Sequence, residues 1–339
     1  MTSSRDPESA ARGGARPLAS ILLIAYEQQA TIAEAIAGAL AQTYSPLEIV
    51  VSDDASSDAT FAAMEAALTG YGGPHRIVLN RNERNLGIGA HLSRAVALSH
   101  GDLLFVAAGD DVSLPQRCER VVEVWLASGK RLDLIASALE DIDERGAVHA
   151  RISPSDLAAY RDAADWIARP PFVVGAAQAW TRRLFDRFGP LPEGVVAEDL
   201  LMVFRAVVSG GAATLAEPLV RYRRGGISGR RRAMSAGDVV ERLLKNNRHS
   251  LVELPQLLAD ARVAGQLPAV EARLHRQLAR EVFIRDLFAA TSLARRLRLV
   301  TRASAVPLGQ RLRFATYAIC PNLLAPLFVL KRLAARRAG

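Results

Sequence analysis

Cysteine is almost missing from this 339-residue chain, which has only Cys118 and Cys320. That excludes a disulfide framework and a cysteine-based zinc site, and it fits a reducing compartment. Long apolar runs are missing as well. No stretch of about 20 apolar residues occurs, so no membrane-crossing helix is expected. The first 16 residues, Met1 to Arg16, lack the apolar centre of a secretory signal and read as a disordered lead-in. Aromatic residues are scarce at 6%, too few for the stacking platforms that hold single-stranded nucleic acid. Ala25-Tyr-Glu-Gln-Gln29, after the first apolar run, has none of the glycines of a triphosphate loop. That argues against a nucleotidyltransferase.

What is present is an ordinary globular composition, 50% hydrophobic and 23% charged. The net charge is +8, with the arginine excess concentrated after about residue 220. Such asymmetry points to an anionic partner: lipid headgroups, a diphosphate or nucleic acid. Through the first half, apolar β-rich runs alternate with helical patterns. Strands are expected at Leu18–Ala25, Leu47–Ser52, Arg76–Leu79, Leu103–Ala107 and Leu132–Ala138. Helices are expected at Thr31–Gln42, Ala59–Leu68, Gly87–Ser99 and Pro115–Leu126. This alternation implies a mostly parallel, helix-covered sheet. Glu140–Gly146 reads as a polar turn between antiparallel strands, and Phe172–Trp180 as a strand. Leu200–Val208 reads as a helix and Leu215–Tyr222 as a short edge strand marked by Pro218. From about Gly237 onward the pattern is helical. Phe314–Leu330, apolar between flanking cations, suits a membrane interface or a packed helical hairpin.

Three acidic pairs carry the chemical signal. Asp53-Asp54 follows one predicted strand, Asp110-Asp111 follows another, and Glu198-Asp199 opens a predicted helix. Adjacent carboxylates repel and need donors, solvent or a cation to hold them. Carboxylates at the C-terminal ends of strands in an open α/β sheet lie where such sheets bind ligands. For the second pair, Mg²⁺ or Mn²⁺ shared with a nucleotide diphosphate accounts for the hard oxygen ligands. Each pair also has a plainer reading as a turn or helix start, where acids meet free N–H groups. The ordered set is far more specific than any one piece. Arg221, Arg223 and Arg224 form a basic loop that suits phosphate.

Taken in order, these stretches resemble family 2 glycosyltransferases of the GT-A fold, over residues 18 to about 225. The resemblance rests on Ser20-Ile-Leu-Leu-Ile-Ala-Tyr-Glu27, on Ala41-Gln-Thr-Tyr44, and on Leu47–Asp58 with its Asp53-Asp54 pair. It continues through Asn85-Leu-Gly87, Gly109-Asp-Asp111 and Glu198-Asp199. The Gln-x-x-Arg-Trp motif of processive members is absent. Leu219–Arg230 instead resembles the corresponding segment of nonprocessive, rhamnosyltransferase-like bacterial enzymes, with Arg224 where histidine is usual.

The resemblance implies roles. Ala25, Tyr26 and Glu27 would line the base pocket. Asp54 would hydrogen-bond the base, and Asp53 would support the ribose side or the loop. Arg84 and Asn85 would approach the nucleotide or its sugar, Asp110 the ribose or sugar, and Arg223 the phosphates. Asp111 would bind Mn²⁺ or Mg²⁺. Asp199 would be the general base, with Glu198 assisting. The expected protein has a lead-in over 1–16, a GT-A domain over 17–235 and a helical region over 236–339 that can meet a membrane. The expected reaction is inverting transfer of one sugar from a nucleotide-diphosphate donor to a saccharide or lipid-linked acceptor, in bacterial surface polysaccharide assembly. The expected location is cytoplasmic, at the inner face of the membrane, with no nucleic-acid partner. A non-catalytic nucleotide-sugar-binding protein and a nucleotidyltransferase are the alternatives.

Overall fold

In the computed structural model, residues 16–223, 236–320 and 323 are described. The expected lead-in, Arg224 and most of Phe314–Leu330 lie outside them. A nine-stranded mixed sheet organises the described residues. Its first part consists of β1 (Ala19–Ala25), β2 (Leu47–Asp53), β3 (Arg76–Arg81) and β4 (Leu103–Ala108), all parallel, in the order β3-β2-β1-β4. Helices α1 (Ile32–Leu40), α2 (Thr60–Leu68) and α3 (Ile88–Ala97) make the crossovers.

Every residue of β1 and β2 is buried, as in a sheet covered on both faces. Side chains alternate along a strand, so the core divides in two. Leu22, Ile24, Leu104 and Val106 face one layer with Leu92 and Val96 of α3. Ile21, Leu23 and Phe105 face the other, with Ile32 and Ile36 of α1 and with Val121 and Trp125 of α4 (Arg117–Ala127).

The second part of the sheet is mixed. It contains β5 (Val112–Ser113), β6 (Leu134–Ile142), β7 (Val148–Ile152), β8 (Gln178–Thr181) and β9 (Ala212–Arg223). β8 runs antiparallel between β4 and β6, and β9 lies between β6 and the two-residue β5. The polar turn joins antiparallel β6 and β7, as expected. Two expectations need correction. The strand around Pro218 is twelve residues long and interior, because register shifts opposite Ser137 and Ala138 absorb the proline. Phe172–Trp180 is mostly not a strand: Gly175–Ala177 form a 3₁₀ turn before β8.

Helices α5 (Ala163–Ala168), α6 (Arg182–Phe188) and α7 (Glu198–Val207) cover this part. They are followed by α8 (Ala236–Val263), α9 (Leu267–Ala289), α10 (Leu293–Arg302) and α11 (Leu308–Ile319). Leu254, Leu257, Leu258 and Ala261 of α8 and Val270 and Leu274 of α9 share the core layer of α3 and α7. Phe314 of α11 is buried in a separate cluster with Phe283 and Leu287 of α9. No described helix is long and apolar enough to cross a membrane.

Candidate active site

The sheet register brings the candidate residues to one edge. Ala25 pairs with Asp53 across β1 and β2, and Ile24 pairs with Ala108 across β1 and β4. The chain leaves all three strands at that level, where strand order reverses about β1. Gly109 makes the exit from β4 possible: a Cβ there would lie 2.5 Å from Gln28 Oε1 and 2.7 Å from Ala25 Cβ. Tyr26 and Glu27 are exposed at the mouth, with Asn85 near the Tyr26 hydroxyl, and Glu27 raises that hydroxyl's pKa.

The first acidic pair is committed to the protein. Asp53 accepts from the Ser56 N–H at 3.1 Å and meets Arg81 Nε at 3.2 Å. Asp54 accepts from Asn82 Nδ2 at 2.8 Å and from the Leu86 and Gly87 N–H groups at 2.9 Å each. Only 2% of Asp54 is exposed. Three of the four or so lone-pair sites of its carboxylate already have donors, and they fix the loop entering α3. The Asp53 contacts hold the loop after β2. Arg84 is exposed at the same edge in a bidentate pair with Glu193, at 2.9 and 2.8 Å.

The second pair is under-satisfied. Asp111 is 5% exposed, and its Oδ1 accepts from the backbone N–H of Arg223 at 2.9 Å. Burial and then the neighbouring Asp110 push its pKa up to about 8. Burial also raises Asp110, while Gln28 and Arg223 pull it down. The Arg223 guanidinium donates to the carbonyls of Asp110, Asp143 and Glu144 and pairs with Glu34, which anchors it beside the second pair.

The third pair opens α7. Glu198 is buried, and burial, then Asp199, hold its pKa well above the carboxylate range. Asp199 is half-buried, with Oδ1 accepting from the Leu200 N–H at 2.7 Å; burial pushes its pKa up to about 6. A carboxylate poised there can take a proton near neutral pH. Gly175 allows Glu198 its place, since a Cβ at 175 would lie 2.6 Å from Glu198 Oε1.

Sequence reasoning missed the residues that tie the second pair to the third. Arg117, 1% exposed, donates to Ser113 Oγ at 2.9 Å and to the carbonyls of Val106 and Ala176, both at 2.7 Å. It also reaches the Gln178 carbonyl at 3.3 Å, and the Gln178 amide reaches the Asp199 carbonyl at 3.3 Å. One buried guanidinium thus braces the end of β4, the strand after Asp111 and the turn beside Glu198. Its only cue was an arginine at the start of a helix. Glu253 of α8, whose carboxylate meets the loop before Glu198, had no cue at all.

Comparison with known proteins agrees with this architecture. The family model described as Glycosyl transferase family 2 matches residues 20–184. Putative glycosyltransferase EpsE of Bacillus subtilis is 32% identical over 139 residues, 41% of this chain and 49% of that protein. Succinoglycan biosynthesis protein ExoO of Rhizobium meliloti is 29% identical over 315 residues, 88% of this chain and 86% of that protein. The chain therefore spans about half the length of EpsE and most of ExoO. Among solved structures, Staphylococcus aureus TarS 1–349 in complex with UDP-GlcNAc superposes with a TM-score of 0.52 at 16% identity. It covers 94% of this chain and 87% of that one. Mannosyltransferase PcManGT of Pyrobaculum calidifontis, in complex with GDP-Man and Mn²⁺, gives 0.50 at 17% identity, covering 91% and 87%. These likenesses bear on the fold, which is the expected GT-A type with a helical C-terminal region.

Proposed function

We propose, on the premise that the chain belongs through residues 20–184 to glycosyl transferase family 2, that it transfers a single hexosyl or deoxyhexosyl group. The donor would be a nucleotide-diphosphate sugar. The acceptor would be a hydroxyl of a saccharide or lipid-linked molecule, and the configuration would invert. The observation that carries this reading is the braced pairing of two under-satisfied carboxylate sites through Arg117 and Gln178. Displacement at an anomeric carbon needs a stabilised leaving group on one side and a base on the other. Asp199 is the proposed base, and Glu198, whose pKa burial raises, orients it. Tyr26, Glu27, Arg84 and Asn85 are the exposed candidates for the nucleotide, with Ala25 as the floor. ExoO is named for succinoglycan biosynthesis, and we extend a role in polysaccharide assembly to this chain.

A divalent cation fits the second pair. Asp110 and Asp111 are hard oxygen donors whose mutual repulsion Arg117 and Arg223 offset only in part, since the Asp111 pKa stays raised. No group of three metal-binding side chains occurs among the described residues. Two carboxylates, completed by diphosphate oxygens and water, suit Mn²⁺ or Mg²⁺. Bound there, the ion would offset charge growing on the departing diphosphate. Thermal unfolding with UDP-glucose, GDP-mannose and dTDP-rhamnose, with and without Mn²⁺, tests the reading. One donor should raise the transition only together with the ion. No shift with any of them, and no transfer, would overturn it.

We also place the protein at the cytoplasmic face of an anionic membrane. After Asp286 the chain has ten Lys or Arg residues and no Asp or Glu. Arg295, Arg298 and Arg302 recur along an exposed side of α10, beside Leu293 and Leu297, which are 58% and 53% exposed. Leu308, Leu312 and Ile319 form a matching apolar stripe on α11. Cations beside exposed leucines suit a lipid interface. Sedimentation with phosphatidylglycerol vesicles should exceed that with phosphatidylcholine vesicles, and Leu297→Glu should abolish the excess.

A further inference from the structure

We propose that Glu253, on helix α8, is a positioning residue for Asp199: it holds the loop that leads into α7 and sets a second negative charge beside the carboxyl pair. The inference rests on the assignment of Asp199 as base. It makes the helical region part of the catalytic apparatus, although its sequence there reads as an arginine-rich appendage.

The geometry begins with a helix that cannot cap itself. The first N–H groups of a helix have no partner within it. A Ser, Thr, Asp or Asn at the N-cap usually supplies one. In α7 the N-cap is Ala197, with no side-chain cap. An acceptor arrives instead from α8. Glu253 Oε1 accepts from the Val196 N–H at 3.2 Å and from the Ala197 N–H at 2.9 Å. On the other side, the Val195 carbonyl accepts from the Gly89 N–H of α3 at 3.3 Å. There a Cβ on Gly89 would lie 2.9 Å from Val195 Cβ. The three residues before Glu198-Asp199 are thus gripped between α3 and α8. No ion pair to Glu253 is found among the described residues.

Three carboxyl groups therefore crowd one helix start. A helix N-terminus ordinarily favours the ionised form of nearby acids. Here burial opposes it, and Glu253 raises both Asp199 and Glu198 further. The charge that raises Asp199 is Glu253 from α8, and Asp199 in turn raises Glu198 beside it. β8 contributes only the Gln178 amide. A base kept near neutral pH takes a proton from a hydroxyl more effectively than an ordinary carboxylate.

Glu253→Gln retains an oxygen for the two N–H groups but removes the charge. Glu253→Ala removes both. The experiment measures nucleoside-diphosphate release from UDP-glucose, GDP-mannose and dTDP-rhamnose against pH for the full chain, with Asp199→Asn alongside. In Glu253→Gln the acid limb should move down by about half a pH unit or more. In Glu253→Ala, kcat should fall on the order of 10- to 100-fold with donor KM little changed, since misplacing a reacting group costs rate. If Glu253→Ala does not fold, Glu253→Gln decides. An acid limb unmoved in Glu253→Gln, while Asp199→Asn is inactive, overturns the inference and leaves the base assignment standing. Turnover by Asp199→Asn at the unsubstituted rate overturns the base assignment itself.

Discussion

Asp53-Asp54 and Asp110-Asp111 leave the same edge of one parallel sheet, on strands flanking β1, and their surroundings differ sharply. Asp54 meets three donors from Asn82, Leu86 and Gly87. Asp111 meets one, from the Arg223 backbone, and lies beside another acid. A carboxylate surrounded by N–H groups is a structural fastener. One left short of donors is held ready for a ligand that brings positive charge. Residue type and position on the sheet are shared, so donor count is what distinguishes the two pairs. Asp199, with a single N–H donor, resembles Asp111 in this respect.

The comparison can be broken by substitution. Asp199→Asn should have the largest effect, lowering kcat by roughly 1,000-fold or more while donor affinity is retained; general bases contribute on this scale. Donor binding measured in parallel with transfer checks it. Next comes Asp111→Asn, expected to lower transfer on the order of 100-fold and to remove the Mn²⁺ dependence of donor binding. Calorimetric titration of a donor with and without the ion would show this. Asp54→Ala should act on stability first. Leaving the Leu86 and Gly87 N–H groups without their acceptor should cost about 2 to 3 kcal/mol, read as a lower urea midpoint with an unchanged slope. A stable Asp54→Ala protein that has lost only donor affinity would reverse the assignment of the first pair.

The smallest effect is the sharpest in sign. Asp199 has a folded pKa of about 6 against an ordinary 3.8. The folded state therefore binds the proton more tightly than the unfolded chain, and stability falls as pH rises between those values. Asp199→Asn should thus stabilise the protein by roughly 1 to 3 kcal/mol above pH 6 and by little below pH 4. Urea unfolding at pH 4.5 and 8 tests it. Asp54→Ala and Asp199→Asn should consequently move stability in opposite directions at pH 8. If Asp199 is the base, turnover should fall as pH drops through about 6, read from the pH profile of transfer.

Much of the fold was legible along the chain. The apolar runs of β1, β2 and β4 and the helical spacing of α1 are local patterns, and local patterns survive into the fold when both sheet faces are covered. Pro218 misled because a long strand can absorb a proline where the register slips, which only the partner strand reveals. The three acidic pairs were visible for the same local reason, as were their positions after strands or before a helix.

The sequence by itself determined the alternating α/β order, the two acidic exits from the parallel strands, and the acid-poor, arginine-rich end. Each is set by neighbours within a few residues. Only the tertiary structure decided which carboxylates are satisfied, that Arg223 is tied to three carbonyls and Glu34, and that Arg117 and Glu253 brace these segments from elsewhere. Those outcomes depend on donors and charges arriving from distant segments, and a hydrogen bond between groups far apart in the chain leaves no periodicity in it.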